Sequence, residues 1–393
     1  MRFQHWFPES TVEFAGISTG VCNATLAAYQ TAWSGEKSHW LSNLETDSSP
    51  TLQLCRDHAS CILNNTSEYL KAGLSTAGVV LGLLPTILAV IAPSMSELAL
   101  LSERRTLLAV LLAIGAPGTL QTRVFSYEDP AEVLEGAGNG HENRGMAAWI
   151  HTTGAGAGFA IGLAELVVVT LAFLNTIVLA AQLSNNSILA WGCERTWPVF
   201  VWVFVPFVVH ALAAVGYRLT LAKKGEQRAS EHGGAQVQHD SLAFSDGKTS
   251  DIVTTQQALP PPAPSNRSIF QRIIRRVCRE LQSTITAVAG QTRMPHPSSK
   301  HSTRINMGIL LNSIGGFLGF LHLLFGTVTF SGLLFIVNLD ALGQVAIRLM
   351  ASCIVCRLVT MVEMTGLRSE AARHERGNAA SVHMVRPKMD HNS

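Results

Sequence analysis

Ile305–Leu339 reads INMGILLNSIGGFLGFLHLLFGTVTFSGLLFIVNL, thirty-five residues without a formal charge, with His322 as the only ionisable side chain. At about 1.5 Å per helical residue such a run is roughly 52 Å long, against a hydrocarbon thickness of about 30 Å. It is too long and too apolar for a soluble core helix, and too long for one crossing. The run therefore predicts a membrane helix, a turn within Gly326 to Gly332, and the start of a second membrane helix.

The composition agrees. Hydrophobic residues make up 47% of the chain and charged residues only 14%, whereas soluble domains carry about 25% charge. A formal charge of +2 and its distribution give no reason to expect a nucleic-acid partner. The first ten residues have one arginine and no apolar h-region, so they do not read as a cleaved signal peptide. An all-α polytopic membrane protein with about five to six membrane segments follows. Ala72 to Ser96 is charge-free with Pro85 near its middle. Gly154 to Leu183 carries Glu165 alone, and Trp197 to Tyr217 carries no charge and is flanked by Trp191. The last span is Ala341 to Met361. Thr106 to Thr122 has only seventeen residues and breaks at Gly115-Ala116-Pro117-Gly118, so it reads as a short or re-entrant segment.

Orientation follows from lysine and arginine, which collect in cytoplasmic loops. Arg218 to Arg304 holds thirteen Lys/Arg against six Asp/Glu and reads as cytoplasmic, as does the tail from residue 364 to 393. Residues 1–70 are then extracytoplasmic, 71–122 hold the first membrane helix and the short segment, and 123–153 form a cytoplasmic loop. Residues 154–217 form two membrane helices with a short outer loop, and 305–363 the last two. The sequons at Asn64, Asn65 and Asn185 fall outside in this arrangement and are candidate glycosylation sites. The polar composition of 223–265, ending in Pro260-Pro261-Pro262-Ala263-Pro264, predicts disorder with a stiff spacer or an SH3-type ligand at Pro261 and Pro264. Over 268–285, Ile269, Phe270, Ile273, Ile274, Val277 and Leu281 recur at helical spacing. Arg267, Arg272, Arg275, Arg276 and Arg279 fill the other faces, the pattern of an amphipathic helix on anionic lipid; the competing reading packs it on the bundle.

Several residues are candidates for chemistry. Gly154, Gly158, Gly162 and then Glu165 share one helical face, and Gly315, Gly319 and His322 repeat that spacing. Such faces let helices approach closely and point both ionisable groups at protein. With a last helix starting near Leu333, Asp340, Gln344, Arg348 and Ser352 step by four into a polar stripe. A charge at mid-bilayer costs roughly 2.5–3.5 kcal/mol, so Arg348 is expected to pair with Glu165 or Asp340, with His322 as a link. Arg357 and Glu363 are expected to snorkel. Glu165, His322, Asp340, Gln344 and Arg348 thus form a candidate intramembrane polar cluster, either fixing helix order or marking a solute pathway. Cys55 and Cys61 are candidates for a disulfide, with Cys22 or Cys193 as competing partners, while Cys353 and Cys356 read as buried apolar residues. His141-Glu142-Asn143-Arg144 lacks the second histidine of a zincin, and Gly136-Ala137-Gly138-Asn139-Gly140 lacks the Lys-Ser/Thr of a phosphate loop. No catalytic, metal or cofactor site is expected.

Strings including Cys55-Arg56-Asp57-His58, Cys61-Ile62-Leu63-Asn64, Glu97-Leu98-Ala99-Leu100-Leu101-Ser102 with Arg104-Arg105, His322-Leu323-Leu324-Phe325-Gly326-Thr327 and Asp340-Ala341-Leu342 resemble a group of polytopic membrane proteins of filamentous fungi. The resemblance spans residues 50–125 and 305–366. That group has no assigned activity, so it implies the membrane architecture and transfers no site. The resulting expectation is a protein of the plasma membrane or secretory pathway with a non-enzymatic sensing, scaffolding or accessory role in a fungal pathway, secondary metabolism included. A transporter-like protein using the polar cluster is the alternative. A membrane cyclase or transferase using Glu165 and Asp340 as an acid pair comes third.

Overall fold

The computed structural model describes residues 3–35, 50–118, 155–239 and 302–384. The expected amphipathic helix with Arg267, Arg272, Arg275, Arg276 and Arg279, the Pro261 to Pro264 stretch and the glycine-rich turn before His141 lie outside the described residues.

Three short helices open the chain: α1 (Thr11–Thr19), α2 (Asn23–Gly35) and α3 (Pro50–Asn65). The longest, at 16 residues, rises about 24 Å and carries Arg56 and Asp57, so none suits a crossing. They enclose their own core of Phe3, Phe14, Tyr29 and Ile62, which also takes in Phe335 from near the end of the chain. This assembly is the cap. Ser67 then caps α4 (Glu68–Ile91) by accepting the Leu70 N–H, and the helix continues through Pro85. Ser94 and Glu97 close a capping box on α5 (Met95–Ser102), satisfying two of its orphan donors.

Ten residues make up α6 (Thr106–Gly115), a rise of about 15 Å, half a hydrocarbon core. It starts beside Gly162 and stops where the Thr176 hydroxyl donates to the Gly115 carbonyl at 3.1 Å. The chain then folds back, because a Cβ on Gly118 would lie 2.6 Å from the Leu88 carbonyl oxygen, near the end of α4 where the segment began.

The remaining elements are α7 (Ala155–Asn186), β1 (Ile188–Leu189), α8 (Trp197–His239), α9 (Ser302–Ser331), β2 (Leu333–Leu334), a π-helical turn over Asp340–Ala346 and α10 (Ile347–Met384). Among the described residues five helices are long and apolar enough to cross a membrane: Glu68–Ile91, Gly158–Asn186, Trp197–Leu219, Met307–Ser331 and Asp340–Ser369. The protein is an all-α, multi-pass membrane protein. Its interior holds Leu81, Leu88, Leu112, Val169, Trp202, Phe330 and Leu349. Outward-facing Leu83, Leu171, Phe204, Phe317, Leu324 and Leu358 stay exposed, an apolar surface far larger than soluble monomers carry.

Two expectations of extent change. The turn expected within Gly326 to Gly332 falls at 332–339, still inside the apolar run, since α9 continues to Ser331. Gly326 instead lets α9 pack on α8: a Cβ there would overlap the Trp202 indole nitrogen and come within 3.1 Å of Pro85. At the end of α8 the helix runs past Leu219 to His239, into residues whose polarity predicts disorder. Ala222, Lys223, Lys224, Glu226, Gln227 and Arg228 are good helix formers, and extending an existing helix avoids the cost of nucleation.

One end of the bundle carries the whole cap. β1 and β2 pair antiparallel, Ile188 opposite Leu334, so the loop after α7 and the loop after α9 are joined at that end. Phe335 takes a left-handed φ of 66°, unusual for a bulky residue and costing on the order of 1–3 kcal/mol. Ring contacts with Trp6 at 5.4 Å and Phe14 at 5.2 Å hold it there.

Candidate functional site

The polar residues of the bundle do not form the cluster their spacing predicts. Asp340 is buried at the cap end, where it accepts the Glu9 backbone N–H. Gln344 is exposed. Arg348 pairs with neither Glu165 nor Asp340: its Nε donates to Asn175 Oδ1 at 2.9 Å and its Nη1 to Gln182 Oε1 at 2.7 Å, while Asn175 donates onward to Ser352 Oγ at 2.9 Å. The stripe fails because the last helix starts at Asp340, not near Leu333, and because its first seven residues are π-helical. Bonds from i to i+5 widen the turn, so Asp340 and Gln344 leave the face on which Arg348 and Ser352, in the α-helical part, both meet Asn175.

His322 sits elsewhere again, between α8 and α9. Its Nε2 lies 2.8 Å from the Trp202 carbonyl oxygen; a carbonyl only accepts, so Nε2 carries the proton. The imidazole stacks on Trp202 with ring centroids 5.4 Å apart, and His210 is buried nearby. The two glycine faces also diverge. Gly315 is a close-packing position, where a Cβ would lie 2.9 Å from Met95, but nothing lies within 4 Å of Gly158.

What the structure does assemble is a charged corner at the end opposite the cap. The turn between α5 and α6 places Arg105 fully inside, 1% exposed. Its Nη1 donates to Glu165 Oε2 of α7 at 2.6 Å and also to Glu363 of α10; its Nη2 donates to the Gly162 carbonyl at 3.3 Å. On the same short element Glu97 accepts from Arg357 of α10. Glu103 accepts from Arg218 Nε of α8 at 2.6 Å, and the Ser102 carbonyl accepts from Arg218 Nη2 at 3.2 Å. Arg357 and Glu363 are therefore not snorkelling residues but the α10 half of this clasp. Glu165 Oε1 and Glu363 Oε2 are buried with no hydrogen-bond partner among the described residues. Glu165 and Asp340, at opposite ends, do not assemble an acid pair.

Sequence reasoning missed Arg105. It lies in a polar stretch, Glu103-Arg104-Arg105, that looks like a solvated turn, and its partners are 60 and 258 residues away. The only available signal was the lone acid in an otherwise apolar α7.

The cap holds the oxidised cysteines. Cys22 bonds Cys61, and Cys55 bonds Cys193. A Cys55–Cys61 bridge is excluded because both lie on α3: six residues of helix separate them by about 9 Å and turn them to different faces, beyond disulfide reach. Cys353 and Cys356 are free and buried in the bundle core. Asn64, Asn65 and Asn185 are exposed, all at the cap end. Inside the cap, His58 is bonded to Ser18 Oγ at 2.9 Å and Thr25 Oγ1 at 2.8 Å and lies edge-on to Phe3; burial pushes its pKa down to about 4. No group of three metal-ligating side chains occurs among the described residues.

These sites are fixed ion pairs at one end of the bundle and a disulfide-stapled cap at the other. Compared with protein-family models, curated proteins and solved structures, the chain finds no match.

Proposed function

We propose that this protein is a non-catalytic membrane component of the plasma membrane or secretory pathway, whose cap on the non-cytoplasmic face senses or docks a partner while the bundle holds it rigid. In this reading it serves as an accessory to a fungal pathway. The carrying observation is the Cys55–Cys193 disulfide. It ties the N-terminal helices to the α7–α8 loop, beside the strand pair that joins that loop to the α9–α10 turn. Disulfides persist in oxidising compartments, which favours placing the cap outside, with the sequons. With the cap outside, five candidate spans support a cytoplasmic tail, and the ten-residue length of α6 supports a segment that enters and returns within the bundle.

The ionic clasp fits a supporting role. Its charged residues tie α7, α8 and α10 to the α5–α6 corner, and the remaining polar groups are dispersed rather than aligned into a path. A transporter-like reading rests on one observation, that a single guanidinium faces two buried carboxylates, Glu165 and Glu363.

Two measurements separate the readings. Proximity labelling in cells is expected to return partners that disappear when Cys55 and Cys193 are both changed to Ser while the protein still accumulates. Purified protein in vesicles that moves protons or solute, with the flux lost in Glu165→Gln and kept in the cysteine variant, would establish transport instead.

A further inference from the structure

A groove of about 570 Å³ opens on the outer surface between α4 and α9, at the cap end. It exists because α9 stops at Ser331, opposite Gly78 and Gly82: a Cβ on Gly78 would lie 3.5 Å from the Ser331 carbonyl oxygen, and one on Gly82 3.1 Å from Ser331 Cβ. Above that point the face of α4 has no α9 partner. The groove runs from Lys71 to Leu83, twelve residues of helix or about 18 Å. This is close to one leaflet, about half of a 30 Å hydrocarbon core, together with the start of its headgroup layer.

Its chemistry is graded along that length. Leu74, Val79 and Leu83 make the walls apolar, Ser75 adds a hydroxyl near the mouth, and Lys71 is the one charged residue lining it. Lys71 is held by Glu68 at 2.8 Å, but Glu68 is 88% exposed. Such surface pairs are worth little, and an ammonium has three donors, so Lys71 remains able to meet a phosphate. The volume falls within the range of small-ligand sites, about 300–1,000 Å³.

We infer that this groove is a binding site for one anionic phospholipid of the outer-facing leaflet, with the acyl chain along Gly78 and Gly82 and the phosphate on Lys71. The choice of leaflet rests on the topology of the proposed function, whereas the groove itself is a lipid-facing surface that any function of the bundle would retain, so loss of lipid retention and a reversed topology are distinguishable outcomes.

The test is native mass spectrometry of the full chain released from nanodiscs of mixed phosphatidylcholine and phosphatidylglycerol. One retained phospholipid per chain is expected, with a roughly five-fold preference for phosphatidylglycerol, the size one lysine near a membrane surface supplies. Lys71→Gln should keep the retained lipid and reduce the preference to near unity. Gly78→Leu should fill the groove and lose the lipid, while Gly158→Leu, at an open surface of α7, should keep it; intact Cys22–Cys61 and Cys55–Cys193 linkages in each variant report that the fold is preserved. Retention that is the same in Gly78→Leu as in the native chain, or a headgroup preference unchanged by Lys71→Gln, overturns the inference. So does cross-linking from a cysteine placed at position 78 that captures residues 36–49 or a second copy, because the groove would then be covered by protein.

Discussion

Arg105 concentrates the energetics of the bundle at a single side chain. Removing one partner of a buried ion pair leaves an uncompensated charge and costs about 3–5 kcal/mol. Arg105→Leu is therefore expected to lower the thermal midpoint in detergent strongly and to reduce accumulation in the membrane. Adding Glu165→Leu and Glu363→Leu should recover much of that loss, since apolar replacement of a whole buried ionic group is often neutral. A triple variant no more stable than Arg105→Leu would contradict the structural role of the clasp. Glycines give a second residue-level contrast: Gly326→Ala must displace Trp202 and should destabilise by roughly 1–3 kcal/mol, whereas Gly158→Ala has open space and should not destabilise; unfolding of the two in parallel checks this. Glu165 was legible as a protein-facing charge because a lone carboxylate in an apolar span needs a partner; the glycine spacing before it was no guide, since Gly158 has open space around it. The partner itself was not legible, because a charged triplet between short helices has the composition of a surface turn.

At the scale of elements, apolar run length was the readable quantity and register was not. The spans of α4, α8 and α9 follow from charge-free length, that of α7 from a run broken by Glu165 alone, and the short α6 from its Gly-Ala-Pro-Gly break. The Asp340 and Gln344 half of the polar stripe failed because a π-helical turn leaves no mark in apolar periodicity, while Arg348 and Ser352 kept a shared face at Asn175. Disulfide pairing was equally hidden: four cysteines allow three connectivities, and which one forms depends on where α3 sits against the α7–α8 loop. Peptide mapping without reduction should give Cys22–Cys61 and Cys55–Cys193; a Cys55–Cys61 fragment would refute the cap. Losing Cys55–Cys193 is expected to cost about 2–5 kcal/mol of cap stability. The cap should also be pH-sensitive. With the His58 pKa near 4 when folded and about 6.5 when unfolded, only the unfolded form takes up a proton between these values. Cap stability is thus full above pH 6.5 and falls as the pH drops toward 4. Hydrogen exchange of α3 as a function of pH should show this, and His58→Asn should flatten the dependence.

For the whole molecule, the central feature is that two ends of one helical bundle do different work: a stapled cap joins three distant stretches of chain at one end, and an ionic clasp joins three helices at the other. In the proposed topology five crossings place those ends on opposite sides of the bilayer, the odd number following from α6 turning back within the bundle. Single-cysteine labelling in intact and permeabilised cells, in a background that keeps Cys22, Cys55, Cys61 and Cys193, tests this most directly. Cysteines placed at Asn64, Asn185 and Asn338 should react with an impermeant maleimide in intact cells or sealed vesicles of matching orientation, and one placed at Ser381 only after permeabilisation. Finding Asn64 and Ser381 labelled from the same side would make α6 a true crossing or remove one of the five spans, and would contradict the architecture.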